Sequence, residues 1–358
     1  MTRANPRHSV KPTPTRIEPI FSPRIWGARS LAPLFPEKSN LSEPIGEAWL
    51  TGTECKIATG PFAGKKLGEA WKEMPVEWRG EQLAAVMDFP LLVKFIFPTD
   101  KLSIQVHPDD AYAGVHEKAA GGRGKTEMWH AVSAEAGARV LIGLDPKANE
   151  RKFREALGSD TMENLFIHWR VQPGDTFFVP AGTPHTIGKD MVLCEVQQYS
   201  DLTYRVYDYR RLDGQGKPRE LHIEKALDVI QFGRPIAGKA SRIRLPAPRF
   251  ERVLLAACRY FATERWKNFS QIETQSDSAH FDLFVVLSGS GHLVWPGGSA
   301  EYQRGECWMI PADLGTFALN SPEPSKILRT YVPDLPVLRA RLERDGHSWQ
   351  EIARAVFD

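Results

Sequence analysis

FPLLVKFIFPTDKLSIQVHPDD, residues 89–110, is the stretch that decides the fold class. It holds two short apolar runs, LLVKFIF (91–97) and LSIQVH (102–107), split by Pro98-Thr99-Asp100. Both are rich in branched and aromatic residues, so both are expected as strands. Residues two apart on a strand face one side, which puts Gln105 and His107 on a common face. The same texture recurs in ARVLIGL (138–144), TFFVPAG (176–182) and MVLCEVQQY (191–199), with Gly, Pro, Asp and Ser clusters between. Many short strands with frequent turns predict a sandwich or barrel.

Working outward, short helices are expected over 67–72 and 81–87, and one or two more over 149–166, where Phe153, Leu157, Met162 and Leu165 recur at near-helical spacing. Another is expected over 224–232. RPIAGKASRIRLPAPR (234–249) lacks periodicity and reads as a domain boundary. The expected organisation is a flexible tail over 1–16, a first domain over 17–235 and a second over 236–358. In the second, FDLFVVLSGSGHLVW (281–295) reads as a strand, a tight turn and a strand, and 337–357 as a pair of helices on the barrel. The blocks share a weak likeness: Gly174, Pro180, Gly182 and His185 in one, Gly305 and Pro311 in the other, with Leu314 where a histidine would fall.

The 358 residues carry a net charge of +2, with 42% hydrophobic and 25% charged residues, ordinary for a globular protein. No basic stripe points to nucleic acid, and no apolar run is long enough to span a bilayer. Cys55, Cys194, Cys258 and Cys307 form no CxxC and read as reduced core thiols of a cytoplasmic protein. The N-terminus is basic and Pro-rich without an apolar segment, unlike a secretory signal.

Gln105, His107, Glu127 in GKTEMWH (124–130) and His185 in VPAGTPHTIG (179–188) offer two imidazoles, a carboxylate and an amide oxygen. This set suits zinc best, with iron, manganese and nickel as alternatives. Lacking thiolates, it reads as a catalytic rather than a structural site. Gln105 is the weakest donor, and its other role is a hydrogen bond behind the ligands. A lone histidine is more often structural. Here an HxH-like pair, a later Glu and a PxGxxH turn follow in the order a cupin barrel needs. His8, His116, His130, His168, His222, His280, His292 and His347 fit no such spacing.

At these residues the sequence resembles type I mannose-6-phosphate isomerases of the shorter bacterial form, over roughly 17–332. The segments 89–110, 124–130, 179–188, EVQQYSDLTYRVYDYRR (195–211) and IGEAWLTG (45–52) carry the resemblance. It implies a mainly β protein of two cupin (jelly-roll) barrels with a few short helices, the second barrel without metal ligands. It implies one Zn2+ per chain on Gln105, His107, Glu127 and His185, and an active-site arginine at Arg205. Lys125 matches the family's active-site lysine, although Gly124 stands where longer forms carry histidine. Ser103 and Lys94 resemble phosphate-side contacts, and Arg211 occupies the place of a further cation there. The implied activity is reversible interconversion of mannose 6-phosphate and fructose 6-phosphate, and the partner is a small phosphorylated sugar.

Aldose–ketose isomerisation moves a proton between C1 and C2 through an enediol-type intermediate, so it needs a base, a stabiliser for the developing oxyanion and a phosphate grip. Glu195 lies on a strand ten residues before Arg205 and is the first candidate base. Lys125 and a metal-activated water are its rivals. Two other functions share the fold: a metal-dependent dioxygenase, and a sugar-phosphate-binding cupin without turnover. The cations near the ligand set and the Gln105 position favour an anionic sugar over an apolar aromatic.

Overall fold

The computed structural model describes residues 11–213, 216–233 and 238–358. The first ten residues of the tail expected over 1–16, and the boundary expected at 235/236, lie outside them.

The first barrel is two antiparallel sheets. One has seven strands in the order Gly238–Lys239, Thr176–Val179, Glu127–Ala134, Met191–Gln198, Leu91–Ile96, Ile45–Trp49 and Ile20–Ala28. The other has five: Tyr204–Tyr207, Ile104–Val106, His185–Ile187, Arg139–Leu144 and Phe166–Arg170. A third sheet of nine strands forms the second barrel.

The apolar run 91–96 shows why these strands do not alternate cleanly. Leu91, Val93 and Phe95 point away from the first barrel and pack with Leu283, Val285, Met309 and Leu328 of the nine-stranded sheet. Ile96 faces the barrel interior with Trp129, Ile142, Phe177 and Leu193. Both faces are buried, so apolar residues fall on both, with buried Lys94 as the exception, as expected for one sheet stacked on another. All four cysteines are free and buried in this shared layer. Burial pushes the Cys55 thiol up to about 12.

Helices cover the outer face of the five-stranded sheet. Glu150–Ala156 and Ile223–Val229 bury Phe153 and Ala226 against Ile104, Val106 and Tyr207. The helix expected over 81–87 shrinks to a single 3-10 turn at Glu81–Leu83. At the C-terminal end, Leu335–Arg344 and Trp349–Ile352 pack Leu338, Leu342 and Ile352 on the second barrel. No helix among the described residues is long and apolar enough to cross a membrane.

Two expectations for the second barrel need correcting. The strands Asp282–Ser288 and Ser290–Trp295 do not pair with each other. Both pair with different stretches of the long strand Thr316–Tyr331. Gly289, at φ 85°, turns the chain at a corner where a Cβ would collide with Ser325, so a hairpin turn is replaced by a barrel bend. Counted from the paired glycines, the place of His185 falls on exposed Thr316, the first residue of its strand, and not on Leu314. Leu314 instead packs inside the second barrel with Phe284, Trp308 and Phe317.

The barrels also exchange edges. Thr15–Ile17, partly assigned to a tail from the sequence, is a strand on Cys307–Ile310 of the second barrel. Gly238–Lys239 pairs with Phe178 and Phe177 of the first.

Candidate active site and metal centre

One wall of the candidate site is set by strand register. His185 lies directly across from Gln105, and Gln105 directly across from Arg205, so all three share one face of the five-stranded sheet. Glu127 opens its strand opposite Val179 and Gln197 on the facing sheet. The turn before His185 is tied down from below: Gly182 N–H donates to the His107 carbonyl at 2.8 Å. Gly182 has φ 80°, and a Cβ there would sit 2.8 Å from the Val229 carbonyl, so the turn requires glycine.

His107, Glu127 and His185 are buried, with potential ligand atoms within 4.8 Å of one another. His107 Nδ1 donates to the Leu202 carbonyl at 2.7 Å, and His185 Nδ1 to the Thr183 carbonyl at 2.8 Å. A carbonyl only accepts, so the protons sit on Nδ1 and both Nε2 lone pairs face the cluster. Burial, with Lys125 and His185 nearby, pushes the His107 pKa well down. Burial lowers that of His185 to about 4, so both rings are neutral at physiological pH.

Both Glu127 oxygens and His185 Nε2 are buried without a hydrogen-bond partner. Lys125 Nζ lies 2.9 Å from Glu127 Oε2, but Oε1 and His185 Nε2, 3.3 Å apart, are two acceptors with no donor between them, which is costly unless a cation lies there. The donor set of two neutral imidazoles and a carboxylate suits a divalent ion. Gln105 stands on the same wall and lines the cavity beside the cluster.

From this cluster a line of alternating charges runs toward the rim. Lys125 Nζ lies 2.9 Å from Glu127 Oε2 and 3.9 Å from Glu195 Oε1. Glu195 Oε1 lies 3.1 Å from Lys94 Nζ, which lies 3.5 Å from Glu47 Oε1. Glu47 Oε2 lies 2.6 Å from Arg24 Nη2. Three cations thus alternate with three carboxylates. Pairing again explains the order: Trp49, Lys94, Glu195 and Trp129 form one row across four strands, and Trp129 Nε1 donates to Glu195 Oε2 at 3.1 Å. Burial raises the Glu195 pKa, an effect Lys94 only partly offsets.

Arg24, Glu47, Lys94, Lys125 and Glu195 border a cavity of about 440 Å³, within the roughly 300–1,000 Å³ usual for small-molecule sites. Its lining includes Ser103, Gln105, Lys125, Glu195 and Arg205. Arg205 Nη1 donates to the Glu220 carbonyl at 2.9 Å, while its Nε has no partner.

Two expectations shift. Lys94 lines the cavity, but it is 3% exposed and its ammonium lies between Glu195 and Glu47 instead of facing an open phosphate position. Arg211 does not line the cavity. It is held outside by Asp208 at 2.7 Å and Asp100 at 3.2 Å. Tyr209 and Arg210 both have positive φ, 54° and 56°, and this reversal turns Arg211 away. Arg219 lines the cavity in its stead, oriented by the same Asp208, with Nε 2.7 Å from Oδ2. The sequence reading also missed Arg24, Asp201 and His222 as cavity residues. Glu47 had one signal, its place in IGEAWLTG.

A barrel with a buried two-histidine, one-glutamate cluster beside a charged cavity is a cupin-like architecture with a candidate metal site. The comparisons narrow it further. A family profile, phosphomannose isomerase type I, catalytic domain, matches residues 15–133. A probable mannose-6-phosphate isomerase of Bacillus subtilis is 35% identical over 315 residues, covering 86% of this chain and 96% of its own. A mannose-6-phosphate isomerase of Streptococcus mutans is 34% identical, covering 86% and 99%. The crystal structure of mannose 6-phosphate isomerase from Bacillus subtilis superposes with a TM-score of 0.80 at 30% identity, covering 89% of this chain and 99% of that one. A zinc-bound mannose 6-phosphate isomerase, 16% identical, shares the fold with a TM-score of 0.70. The chain belongs to the type I phosphomannose isomerase family, whose members are aldose–ketose isomerases.

Proposed function

We propose that this enzyme interconverts mannose 6-phosphate and fructose 6-phosphate, using one zinc ion held by His107, Glu127 and His185 with Gln105 as the fourth protein donor. The observation that carries the reading is the buried His–Glu–His cluster, whose Glu127 Oε1 and His185 Nε2 face each other with no donor between them, beside the Gln105 and Lys125 that line a charged cavity. A bound divalent ion supplies polarisation of the sugar's carbonyl and hydroxyl oxygens.

The protein's own groups do the rest. Glu195 removes and returns the proton between C1 and C2. Its burial makes the carboxylate more basic than an exposed one, and Lys94 keeps it oriented. Lys125 and Arg205 are fixed donors for oxygens that gain negative charge in the enediol-type intermediate. Ser103, with Arg24 and Arg219 toward the rim, receives the phosphoryl group. Anchoring that end holds the reacting carbons in place. In this reading, catalysis belongs to the barrel before about residue 235, and the barrel after it is a scaffold.

The test is metal content with isomerase activity before and after chelation. Conversion of mannose 6-phosphate should be lost with the metal and return with zinc. Full turnover by metal-free protein refutes the proposal.

A further inference from the structure

Glu47 touches none of the metal-site residues, yet it joins the two ends of the cavity. It lies on Ile45–Trp49, the strand between Ile20–Ala28 and Leu91–Ile96. Its two oxygens do different things. Oε2 lies 2.6 Å from Arg24 Nη2 and accepts from Trp49 Nε1 at 3.1 Å, while Oε1 lies 3.5 Å from Lys94 Nζ. Arg24 is the more exposed partner, at 34% of its side chain, and Lys94 the buried one, at 3%. Burial alone would raise the Glu47 pKa, but Lys94 and Arg24 outweigh it and hold the carboxyl at about 2, so it stays charged.

The consequence concerns Glu195. Lys94 is a single cation between two carboxylates, at 3.1 Å from Glu195 and 3.5 Å from Glu47. Attraction to Glu47 is attraction not concentrated on Glu195. Without the Glu47 charge, Glu195 is the one carboxylate still within ion-pair distance of the ammonium, with Asp201 and Glu127 acting on it only from farther off. The loss of a neighbouring negative charge stabilises the ionised base and weakens it as a proton acceptor. The same loss frees Arg24 from its short contact, so the rim cation no longer has a fixed position.

We infer that Glu47 is a positioning residue for the isomerisation: one carboxylate sets both the basicity of Glu195, through Lys94, and the place of the phosphate-side guanidinium of Arg24. This inference rests on the isomerase reading with Glu195 as base.

The experiment is steady-state kinetics on the zinc-loaded enzyme, with thermal melting of each variant. Glu47→Gln keeps shape and removes charge. It should lower kcat and raise KM for mannose 6-phosphate, each by about tenfold, consistent with a lost buried charge contact. Arg24→Met should reproduce the KM change with little of the kcat change. Glu47→Asp restores the carboxylate and should recover most of kcat. A Glu47→Gln enzyme that melts lower but keeps both constants in its folded fraction has lost only a structural contact, and the inference fails alone. Wild-type enzyme that converts no mannose 6-phosphate overturns the functional reading and this inference together.

Discussion

The two barrels close around the same kind of turn and fill their interiors in opposite ways. In the first, the turn after Val179 ends on His185, and the space beside it holds the His–Glu–His cluster and the alternating charges. In the second, the turn after Ile310 carries Leu314 inward, and the space fills with Trp266, Phe284, Trp308, Phe317 and Leu319. The second barrel does bury charge, but acid and base are joined directly: Glu264 takes two contacts from Arg252, at 2.7 and 2.8 Å, and Arg329 bridges Glu264 and Asp282. Those contacts hold the Glu264 pKa near 2 against the effect of burial. One fold therefore tolerates either solution. An apolar interior is held by packing, whereas open polar acceptors need a bound ion to be stable.

That contrast can be broken by mutation. The largest effect is expected at the metal cluster. His185→Ala or His107→Ala should strip the metal and lower turnover at least roughly a thousandfold, since polarisation by a metal supplies several kcal/mol; metal analysis and the isomerase assay check both. Placing a histidine inside the apolar second barrel, Leu314→His, should leave metal content at the parent's value and lower the melting temperature. A second bound ion would show the barrels to be less different than they look.

Next comes packing. Phe284 is 2% exposed, edge-on to Trp266. Phe284→Ala should cost about 3–5 kcal/mol in denaturant unfolding while the folded fraction keeps its kcat. A fall in kcat would mean the second barrel is more than a scaffold. A similar-sized loss is expected for Arg205→Ala, about 3 kcal/mol in kcat/KM, with metal retained. An unchanged rate would remove Arg205 from catalysis.

The smallest effect is on pH dependence. His130 is buried beside Thr176, and burial together with Arg265 and Lys326 of the second barrel holds its pKa at about 3. A histidine with a depressed folded pKa contributes fully above its unfolded value of roughly 6.5, and that contribution is lost as pH falls toward 3. The melting temperature should therefore drop between pH 6.5 and 4. His130→Asn should flatten that slope, and an unaltered slope would assign the acid sensitivity elsewhere.

Sequence and structure agree best where local pattern carries the information. The i, i+2 spacing of Gln105 and His107, the PxGxxH turn and the apolar runs are local, and each predicts its strand or turn. The rest of the cavity is long-range. Arg24, Glu47, Lys94 and Glu195 meet only because four strands pair in a particular register, and no single segment encodes that. Arg211 shows a different limit. Which of several nearby arginines faces inward depends on the backbone reversal at Tyr209–Arg210, and neither residue is a glycine that would announce it. The place of Lys94 at the cavity is expected from the sequence, but its pairing with Glu195 and Glu47 is likewise hidden, because both partners lie on strands far away in the chain.

The shared layer between the barrels has a consequence for synthesis. Leu91, Val93 and Phe95 need cover from strands that lie beyond residue 250, and Thr15–Ile17 waits for Cys307–Ile310. A ribosome adding about 5–20 residues per second leaves this oily face without its partner for on the order of ten seconds after the first barrel's strands have emerged. Nascent chains of this enzyme should therefore depend on holdase chaperones more than the finished fold suggests.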